Sequence, residues 1–263
     1  MKEVAVEVPP KFYKYRSMKG EAEKWVEQTV LHDEVFFASA STFNDVFDLR
    51  PVFSLEASPE RQREDFLKMS RKYSPTLTEE QHLTEADRVM ATSMSPGEIE
   101  YTTNIIQALH SQAITTTVGV FCVSTKRDDI LMWSHYAESH AGICLEFDGS
   151  FAFMAHAQKV RYSDDRRPIN PYDDDDQVKM DKALLTKSER WAYESEWRLI
   201  RYAAGPGVVR FRPHNLTGII LGAMVSHSTV ETVRRWSRER TKPFQLYRAI
   251  TSNKKFELNI APC

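Results

Sequence analysis

The chain has 263 residues, of which 41% are hydrophobic and 27% are charged, and its formal net charge is −2. This composition is typical of a globular protein, and the small net charge argues against a broad electrostatic grip on nucleic acid. No apolar run reaches the roughly 20 residues of a membrane span, and the first residues lack a signal-peptide pattern, so we expect no membrane partner. The three cysteines form an odd, widely spaced set, which favours a cytoplasmic location.

The first zone, about residues 10–52, predicts a strand over Lys11–Arg16, a helix over about Glu21–His32 and a strand over Val35–Ser39. The helix is predicted from apolar residues at helical spacing, namely Trp25, Val26, Val30 and Leu31. On the first strand, Lys14 and Arg16 share one face with Phe12, because side chains alternate along a strand. An arginine that ends an early strand suits a forked contact with phosphate or pyrophosphate. A surface cation over an aromatic ring is the alternative.

The second zone, about residues 56–113, predicts helices throughout. Ser58 precedes Pro59, and Ser95 precedes Pro96, which is the usual order of a capping hydroxyl and a proline in the first helical turn. Thr78 and Gln81 have the spacing of a capping box. We therefore predict a helical insertion.

The third zone, residues 115–263, alternates short strands with few helices. Strands are predicted at Thr117–Ser124, Ile143–Phe147, Lys159–Tyr162, Glu196–Tyr202, Val208–Phe211, Gly218–Leu221, Gln245–Arg248 and Phe256–Ile260. Helices are predicted around Ile130–Ser139, Val178–Ser188 and Thr229–Glu239. The whole chain, 1–263, is thus predicted to be a single α+β domain with a mixed or antiparallel core sheet and the helical insertion between its first and later strands.

Three short motifs carry polar groups at places where sites are often built. Phe43 to Asp48 interleaves Asn44, Asp45 and Asp48 with two phenylalanines, which predicts an aromatic-anchored turn, either structural or a ribose or metal site. Ser124 closes an apolar strand with a hydroxyl that can orient a carboxylate or a ribose.

The third motif, Met132 to Gly142, predicts a short helix that ends at the glycine. It contains His135 and His140, whose spacing is poor for ligands on one helical face, so we expect no metal site there.

Glu194 and Glu196 form the most informative pair. On a strand they would project from one face, roughly 7 Å apart. Neighbouring carboxylates repel, but a site that stabilises a developing cation and accepts a proton benefits from such a pair. The alternative is an exposed strand face on which one of them pairs with Arg198.

Taken in order, these motifs resemble a bacterial family of unknown function. The shared pattern consists of Tyr15-Arg16, Phe43 to Asp48, Phe121 to Ser124, Trp133-Ser-His135-Tyr136-Ala, Gly142 to Phe147 and Tyr193-Glu-x-Glu-Trp-Arg198. It covers nearly the whole chain except the helical insertion, and it implies no activity by itself.

A second, more distant resemblance is to ADP-ribosyltransferases of the arginine–serine–glutamate type. Their site orders an arginine on the first strand, an aromatic-x-Ser-Thr-Ser strand and an E-x-E pair that leads into a further strand. Arg16, Phe121-Cys-Val-Ser124-Thr125 and Glu194-x-Glu196 occur here in that order. The chain departs from the pattern at Lys126, which stands where the last serine is expected. The resemblance implies a split-sheet core.

This resemblance also implies that the cofactor NAD is used as a substrate. NAD would lie in the cleft of the split sheet. Glu196 would stabilise the oxocarbenium-like transition state, Glu194 would deprotonate the acceptor, and Ser124 would position the nicotinamide ribose or hold Glu196. Arg16 would bind the pyrophosphate and Tyr136 would stack on nicotinamide. The full set of expected cofactor contacts is Arg16, Tyr15, Asn44, Asp45, Phe121, Trp133, His135 and Tyr136.

The partners expected from this reading are NAD, an acceptor that is protein, nucleic acid or water, and a cognate inhibitor protein if the chain is a toxin or defence effector. A nucleic-acid acceptor could use a patch of Arg234, Arg235, Arg238 and Arg240 on a late helix. A solvated helix is the alternative explanation of that patch.

Three other functions stay open. One is a magnesium-dependent nuclease that uses Asp45, Asp48, Glu146 and Glu194 as oxygen ligands. Another is a nucleotide-sensing or partner-binding module of a defence system without turnover. The last is a scaffold in which all of these motifs are structural.

Overall fold

A computed structural model describes residues 7–91, 96–172 and 174–263 of the chain. The chain divides into two compact units. The first contains the chain up to Asn44, Thr115–Asp164 and Lys187–Cys263, and the second contains Asp45–Ile114 and Asp165–Thr186. Within the described ranges, none of the helices combines the length and the apolar composition that a membrane span requires.

The first unit is built on an eight-stranded sheet. Its strands are β1 (Lys11–Arg16), β3 (Gly119–Ser124), β4 (Ile143–Asp148), β5 (Gln158–Lys159), β8 (Glu196–Arg201), β10 (Leu216–Leu221), β11 (Gln245–Thr251) and β12 (Leu258–Pro262). Their order across the sheet is β12-β11-β10-β4-β1-β3-β8-β5, and neighbours are antiparallel except for β10 and β11. The predicted mixed, largely antiparallel core sheet is confirmed.

Four shorter strands lie outside this sheet. β2 (Glu34–Phe37) pairs with β9 (Gly207–Arg210) in an antiparallel ladder. The other two are β6 (Arg161–Tyr162) and β7 (Thr186–Lys187). The predicted strand Lys159–Tyr162 is therefore divided between β5 and β6.

Helices cover both faces of the large sheet. On one face, α1 (Glu21–His32) and α8 (His227–Glu239) contribute Val26, Val30, Val233 and Trp236 to the main hydrophobic core. On the other face, α5 (Ile130–Tyr136) buries Met132 and Trp133 against Tyr13 and Tyr15 of β1. A single turn of helix, α6 (Ala152–Ala155), adds Met154 to the main core. The predicted bounds of β1 and α1 are confirmed.

The second unit is mainly helical, as the sequence predicts for about residues 56–113. It contains α2 (Pro59–Tyr73), α3 (Glu79–Ala91), most of α4 (Pro96–Thr117) and α7 (Asp176–Leu184). Ser58 caps α2 by accepting the Arg61 N–H, and Thr78 and Gln81 bond reciprocally at the start of α3, so both predicted caps are confirmed. The predicted cap at Ser95 lies outside the described residues.

The end of α5 corrects a prediction. The helix stops at Tyr136 rather than near Ser139, because Glu138, Ser139 and His140 take left-handed backbone angles with φ of 51°, 50° and 70°. Gly142 has a different role from the predicted helix end. A Cβ at this position would lie 2.2 Å from the carbonyl oxygen of Arg16, so only glycine lets the chain pass this close to the end of β1.

The expected arginine patch on α8 is also corrected. Arg234 and Arg235 are exposed and pair with Glu231 and Glu239 on the same helix. Arg240 instead follows the helix and is buried, where it donates to the carbonyl groups of Val30 and Pro213 and pairs with Asp33. The solvated-helix explanation is therefore favoured over a four-arginine surface.

Candidate functional site

The large sheet opens between β1 and β3. These two strands pair only at Tyr13 and Ser124, after which they separate. Farther along the same edge of β3, Val120 exchanges both backbone hydrogen bonds with Ala38, at 2.9 Å each. The edge of β3 thus changes partner along its length, which leaves room between β1 and the segment after β2.

A cavity of about 530 Å³ lies at this opening, within the first unit. Its size is within the range of about 300–1,000 Å³ that small-ligand sites have. The lining comes from β1, α1, β2 and the segment after it, β3, α5 and the region around Lys187 and the E-x-E pair. Predicted site residues that line it are Tyr15, Arg16, Asn44, Ser124, His135, Tyr136, Glu194 and Glu196.

Two cations of β1, Lys14 and Arg16, line the cavity and are called the cation pair below. Lys14 Nζ donates to the Cys122 carbonyl across the opening at 2.6 Å. Neither side chain has an ion-pair partner among the residues that the structure describes. Burial, together with the charge of Arg16, lowers the pKa of Lys14 to about 8. The charges of Glu196 and Glu194 offset this lowering in part, so the cation pair presents positive charge to the cavity without a direct ion pair.

The E-x-E pair departs from its predicted geometry. Only Glu196 lies on a strand, as the first residue of β8, whereas Glu194 ends a 3₁₀ turn over Glu189–Glu194. Ser195 joins them in a left-handed conformation with φ of 44°. This kink turns both carboxylates towards Lys187, so the two side chains do not stand side by side on a strand face. Both glutamates are buried, which contradicts the exposed face of the alternative, whereas the pairing with Arg198 that it included is present at Glu196.

Glu194, Glu196, Lys187 and Arg198 form a buried network that we call the carboxylate cluster. Lys187 Nζ contacts Glu194 Oε2 at 2.5 Å and Glu196 Oε2 at 3.2 Å. Arg198 donates to both oxygens of Glu196, at 2.9 and 3.0 Å. Two anions and two cations thus share one site, so the repulsion expected between the glutamates is offset by two positive charges.

The two carboxylates of this cluster have opposite pKa shifts. Burial raises the pKa of Glu194, and the Lys187 ammonium offsets this only in part. Burial would also raise the pKa of Glu196, but the Arg198 guanidinium and the Lys187 ammonium outweigh it and hold this pKa well below the usual glutamate range. Glu196 therefore stays ionised at all physiological pH values, and Glu194 is the better proton acceptor of the two.

Ser124 positions the E-x-E turn through its backbone. Its Oγ donates to the Glu194 carbonyl oxygen at 2.6 Å and accepts the Lys126 N–H at 2.9 Å. In the β3–β8 ladder, Ser124 stands opposite Glu196. The hydroxyl therefore holds the turn from which both carboxylates project, and it does not contact the Glu196 carboxylate.

Tyr136 links the carboxylate cluster to the other side of the cavity. Its hydroxyl donates to Glu194 Oε1 at 2.5 Å and accepts from Asn44 Nδ2 at 3.5 Å. His135 Nδ1 lies 2.9 Å from the Tyr193 hydroxyl, next to the same 3₁₀ turn. The structure thus brings Asn44, His135 and Tyr136 together beside Glu194.

Three predicted contact residues have supporting positions. Trp133 is fully buried and donates from Nε1 to the Arg127 carbonyl at 2.9 Å, and Tyr15 packs edge-on against it. Phe121 is buried in the main core, and Lys14 lies over its ring, 5.1 Å from the ring centroid. These aromatic side chains fix β1, β3 and α5 around the cavity.

Asp45 belongs to the second unit. Its side chain is buried, and Oδ1 accepts the Phe47 N–H at 2.9 Å, which closes a local Asx-type turn. The structural interpretation of this motif is therefore supported at Asp45, while Asn44 lies in the first unit and lines the cavity.

Sequence reasoning missed two residues of the site. Lys187 bridges both glutamates, yet the residues around it show no motif, and its role depends on contacts with the E-x-E turn. Trp25 was used only as one of the apolar residues that predict α1, but 45% of its surface is exposed and it lines the cavity. The buried residues of α1 are Val26, Thr29 and Val30.

Two carboxylates of the nuclease alternative, Glu146 and Glu194, are engaged in ion pairs. Glu146 pairs with Lys11 at 3.3 Å and accepts from Thr217 at 2.7 Å. Among the described residues, no group of three or more His, Cys, Asp or Glu side chains is arranged to hold a metal ion.

Comparison with known proteins finds a family model that is similar to the part of the chain that carries some of this site. Residues 132–199 match the family model described as Protein of unknown function (DUF2971). The matched stretch includes Trp133, His135, Tyr136 and the whole E-x-E turn with Lys187 and Arg198, whereas the cation pair precedes it. No curated protein and no solved structure matches the chain.

Proposed function

We propose that the cavity binds NAD and that the chain cleaves the bond between nicotinamide and ribose, as an ADP-ribosyltransferase or an NAD glycohydrolase with the role of a bacterial toxin or defence effector. The observation that carries this proposal is that one cavity is lined both by the cation pair and by Glu194 and Glu196 of the carboxylate cluster. A dinucleotide has the matching chemistry, because its pyrophosphate is anionic and its glycosidic bond breaks with development of positive charge.

The cation pair supplies the phosphate contacts. Arg16 ends β1 with no ion-pair partner among the described residues, and its planar guanidinium can bond two phosphate oxygens at once. Lys14 adds a second positive charge that points into the same cavity. These two side chains would hold the pyrophosphate while the rest of the ligand extends along the opening.

Glu196 would stabilise the reacting sugar. As the nicotinamide–ribose bond breaks, nicotinamide leaves with the bonding electrons and the ribose gains oxocarbenium character, so a fixed negative charge lowers the barrier. Arg198 and Lys187 keep Glu196 ionised and oriented. The Cys122 thiol also hydrogen-bonds this carboxylate, so a ribose hydroxyl would bind Glu196 in place of the thiol.

Glu194 would take the proton of the acceptor. Its pKa is raised by burial, and its carboxylate lies at the cavity beside Tyr136 and Lys187. When an acceptor oxygen or nitrogen bonds to the anomeric carbon, the proton that it loses passes to Glu194. The acceptor is water in a glycohydrolase and a protein or nucleic-acid group in a transferase. A cognate inhibitor would act by covering the cavity.

The test is the release of nicotinamide from NAD, measured by mass spectrometry. We expect the native chain to release nicotinamide and Glu196→Gln to be slower by about 10²–10³-fold, as for other lost electrostatic contacts in transition states. Glu146→Gln is the matched control, because Glu146 is also buried and ion-paired but does not line the cavity. Absence of release by the native chain, with no rise in melting temperature on adding NAD, would overturn the proposal.

A second candidate function is a nucleotide-binding module without turnover. The observation that favours it is that both cations of the carboxylate cluster already neutralise Glu194 and Glu196. This function predicts that NAD or ADP raises the melting temperature while no nicotinamide is released over hours. The same experiment therefore separates the two candidates.

A further inference from the structure

Two aromatic side chains, Trp25 of α1 and Phe36 of β2, form a pair at the cavity that the proposed chemistry does not use. Their ring centroids lie 5.1 Å apart with an interplanar angle of 44°. Both residues line the cavity, and 45% and 37% of their surfaces are exposed. A large flat apolar surface open to a cavity suits a flat π-system as its ligand.

The segment that carries Phe36 lies across the opening from β1. Ser124 stands opposite Glu196 in the sheet, whereas Val120 pairs with Ala38, two residues after Phe36. Four residues of strand separate Ser124 from Val120, which corresponds to about 13 Å. Because the pairing of Val120 with Ala38 is antiparallel, the residues before Ala38 run back along β3 towards Ser124, so Phe36 lies near the level of Cys122.

The cation pair lies at a similar level on the β1 side of the opening. Tyr13 pairs with Ser124, and Arg16 lies three residues farther along β1, about 10 Å away along the strand. The cation pair and the aromatic pair therefore line opposite sides of the opening at similar levels along β3. Helix α1 adds Ala22 and Thr29 to the lining at helical spacing from Trp25, and the small side chain of Ala22 leaves space beside the indole ring.

We propose that Trp25 and Phe36 form a subsite for a purine base, which stacks on the indole ring while the phosphates that follow it bind the cation pair. This inference rests on the proposed function, because the base is taken to be the adenine of NAD. The nicotinamide ribose of the same NAD molecule would then reach Glu196. Its substrate class is an adenosine diphosphate group, and the same subsite binds ADP alone.

The test compares ADP with inorganic pyrophosphate, both titrated by calorimetry. We expect Trp25→Ala to weaken ADP binding by about tenfold or more, as for a lost base-stacking contact, and to change pyrophosphate binding by less than about twofold. Trp25→Phe keeps an aromatic ring and should stay within about threefold of the native affinity for ADP. Phe256→Ala removes a fully exposed aromatic ring outside the cavity lining and should change neither affinity.

Three results would overturn the subsite. They are unchanged ADP affinity in Trp25→Ala, an equal loss of ADP and pyrophosphate binding that marks a merely structural role, and no binding of ADP by the native chain. If the native chain cleaves NAD but does not bind ADP, the base subsite is wrong and the proposed function stands. If ADP binds through Trp25 and no nicotinamide is released, the proposed cleavage is wrong and the subsite stands.

Discussion

Glu194 and Glu196 of the carboxylate cluster are held by Lys187, Arg198 and Tyr136, whereas Lys14 and Arg16 line the same cavity with no carboxylate partner among the described residues. The first group has its charges balanced by direct ion pairs inside the protein, whereas the second group has no direct ion pair. A balanced group is fixed in position and can act on a ligand, while an unbalanced group gains its partner from the ligand. This difference suggests that the cation pair serves binding and the carboxylate cluster serves chemistry.

The contrast between the carboxylate cluster and the cation pair predicts its largest effect on protein stability. Arg198→Met should lower the free energy of unfolding by about 3–5 kcal/mol, because it leaves the buried Glu196 without its bidentate partner. Arg16→Met is the matched change in the cation pair. It should alter stability by less than about 1 kcal/mol, because no native ion pair is lost and the repulsion with Lys14 is removed. Urea unfolding of both variants measures the difference, and equal losses would contradict the contrast.

A pH effect is expected from the Lys187 side chain. Glu194 acts as a base only when ionised, so nicotinamide release should fall as the pH decreases through the raised pKa of Glu194. The Lys187 ammonium lowers that pKa, so Lys187→Met should move this limb of the pH–rate profile to higher pH. Lys187→Arg keeps the charge and should leave the limb near its native position.

This prediction can be checked without turnover. The pKa of Glu194 can be read from its carboxyl carbon signal by NMR during a pH titration. In Lys187→Met this pKa should rise by the same amount as the limb of the pH–rate profile. An unchanged titration would show that Lys187 does not control Glu194.

The smallest expected effect concerns the cation pair. Lys14, with its pKa lowered to about 8, is positively charged below that pH and neutral above it. ADP affinity should therefore fall by about fivefold, or about 1 kcal/mol, as the pH rises through this value. Lys14→Arg stays charged and should bind ADP with little change over the same range. Loss of affinity in both proteins at the same pH would assign the effect to another group.

Local sequence patterns predicted the elements around the site well. β1 and α1 have their predicted bounds, because alternation along a strand and apolar spacing along a helix are properties of neighbouring residues. The cap of α2 at Ser58 and the reciprocal bonds between Thr78 and Gln81 were predictable for the same reason.

The same patterns failed at the E-x-E turn. The two carboxylates were expected side by side on a strand face, but Ser195 adopts a left-handed conformation and Glu194 ends a 3₁₀ turn. The compensating contacts come from elsewhere in the chain, since Ser124 is 70 residues away and Tyr136 is 58 residues away from Glu194. Nothing in the local sequence reports those contacts.

By itself, the sequence determined the types of most elements, the α+β class with a largely antiparallel sheet, and the presence of Arg16, Ser124 and an acidic pair as candidate site residues. Only the tertiary structure decided that the sheet opens between β1 and β3, that Lys187 bridges the two glutamates, and that Trp25 faces the cavity. The physical reason is that propensity and periodicity act between neighbours. Charge balance, burial and strand pairing depend on partners that folding brings together from distant parts of the chain.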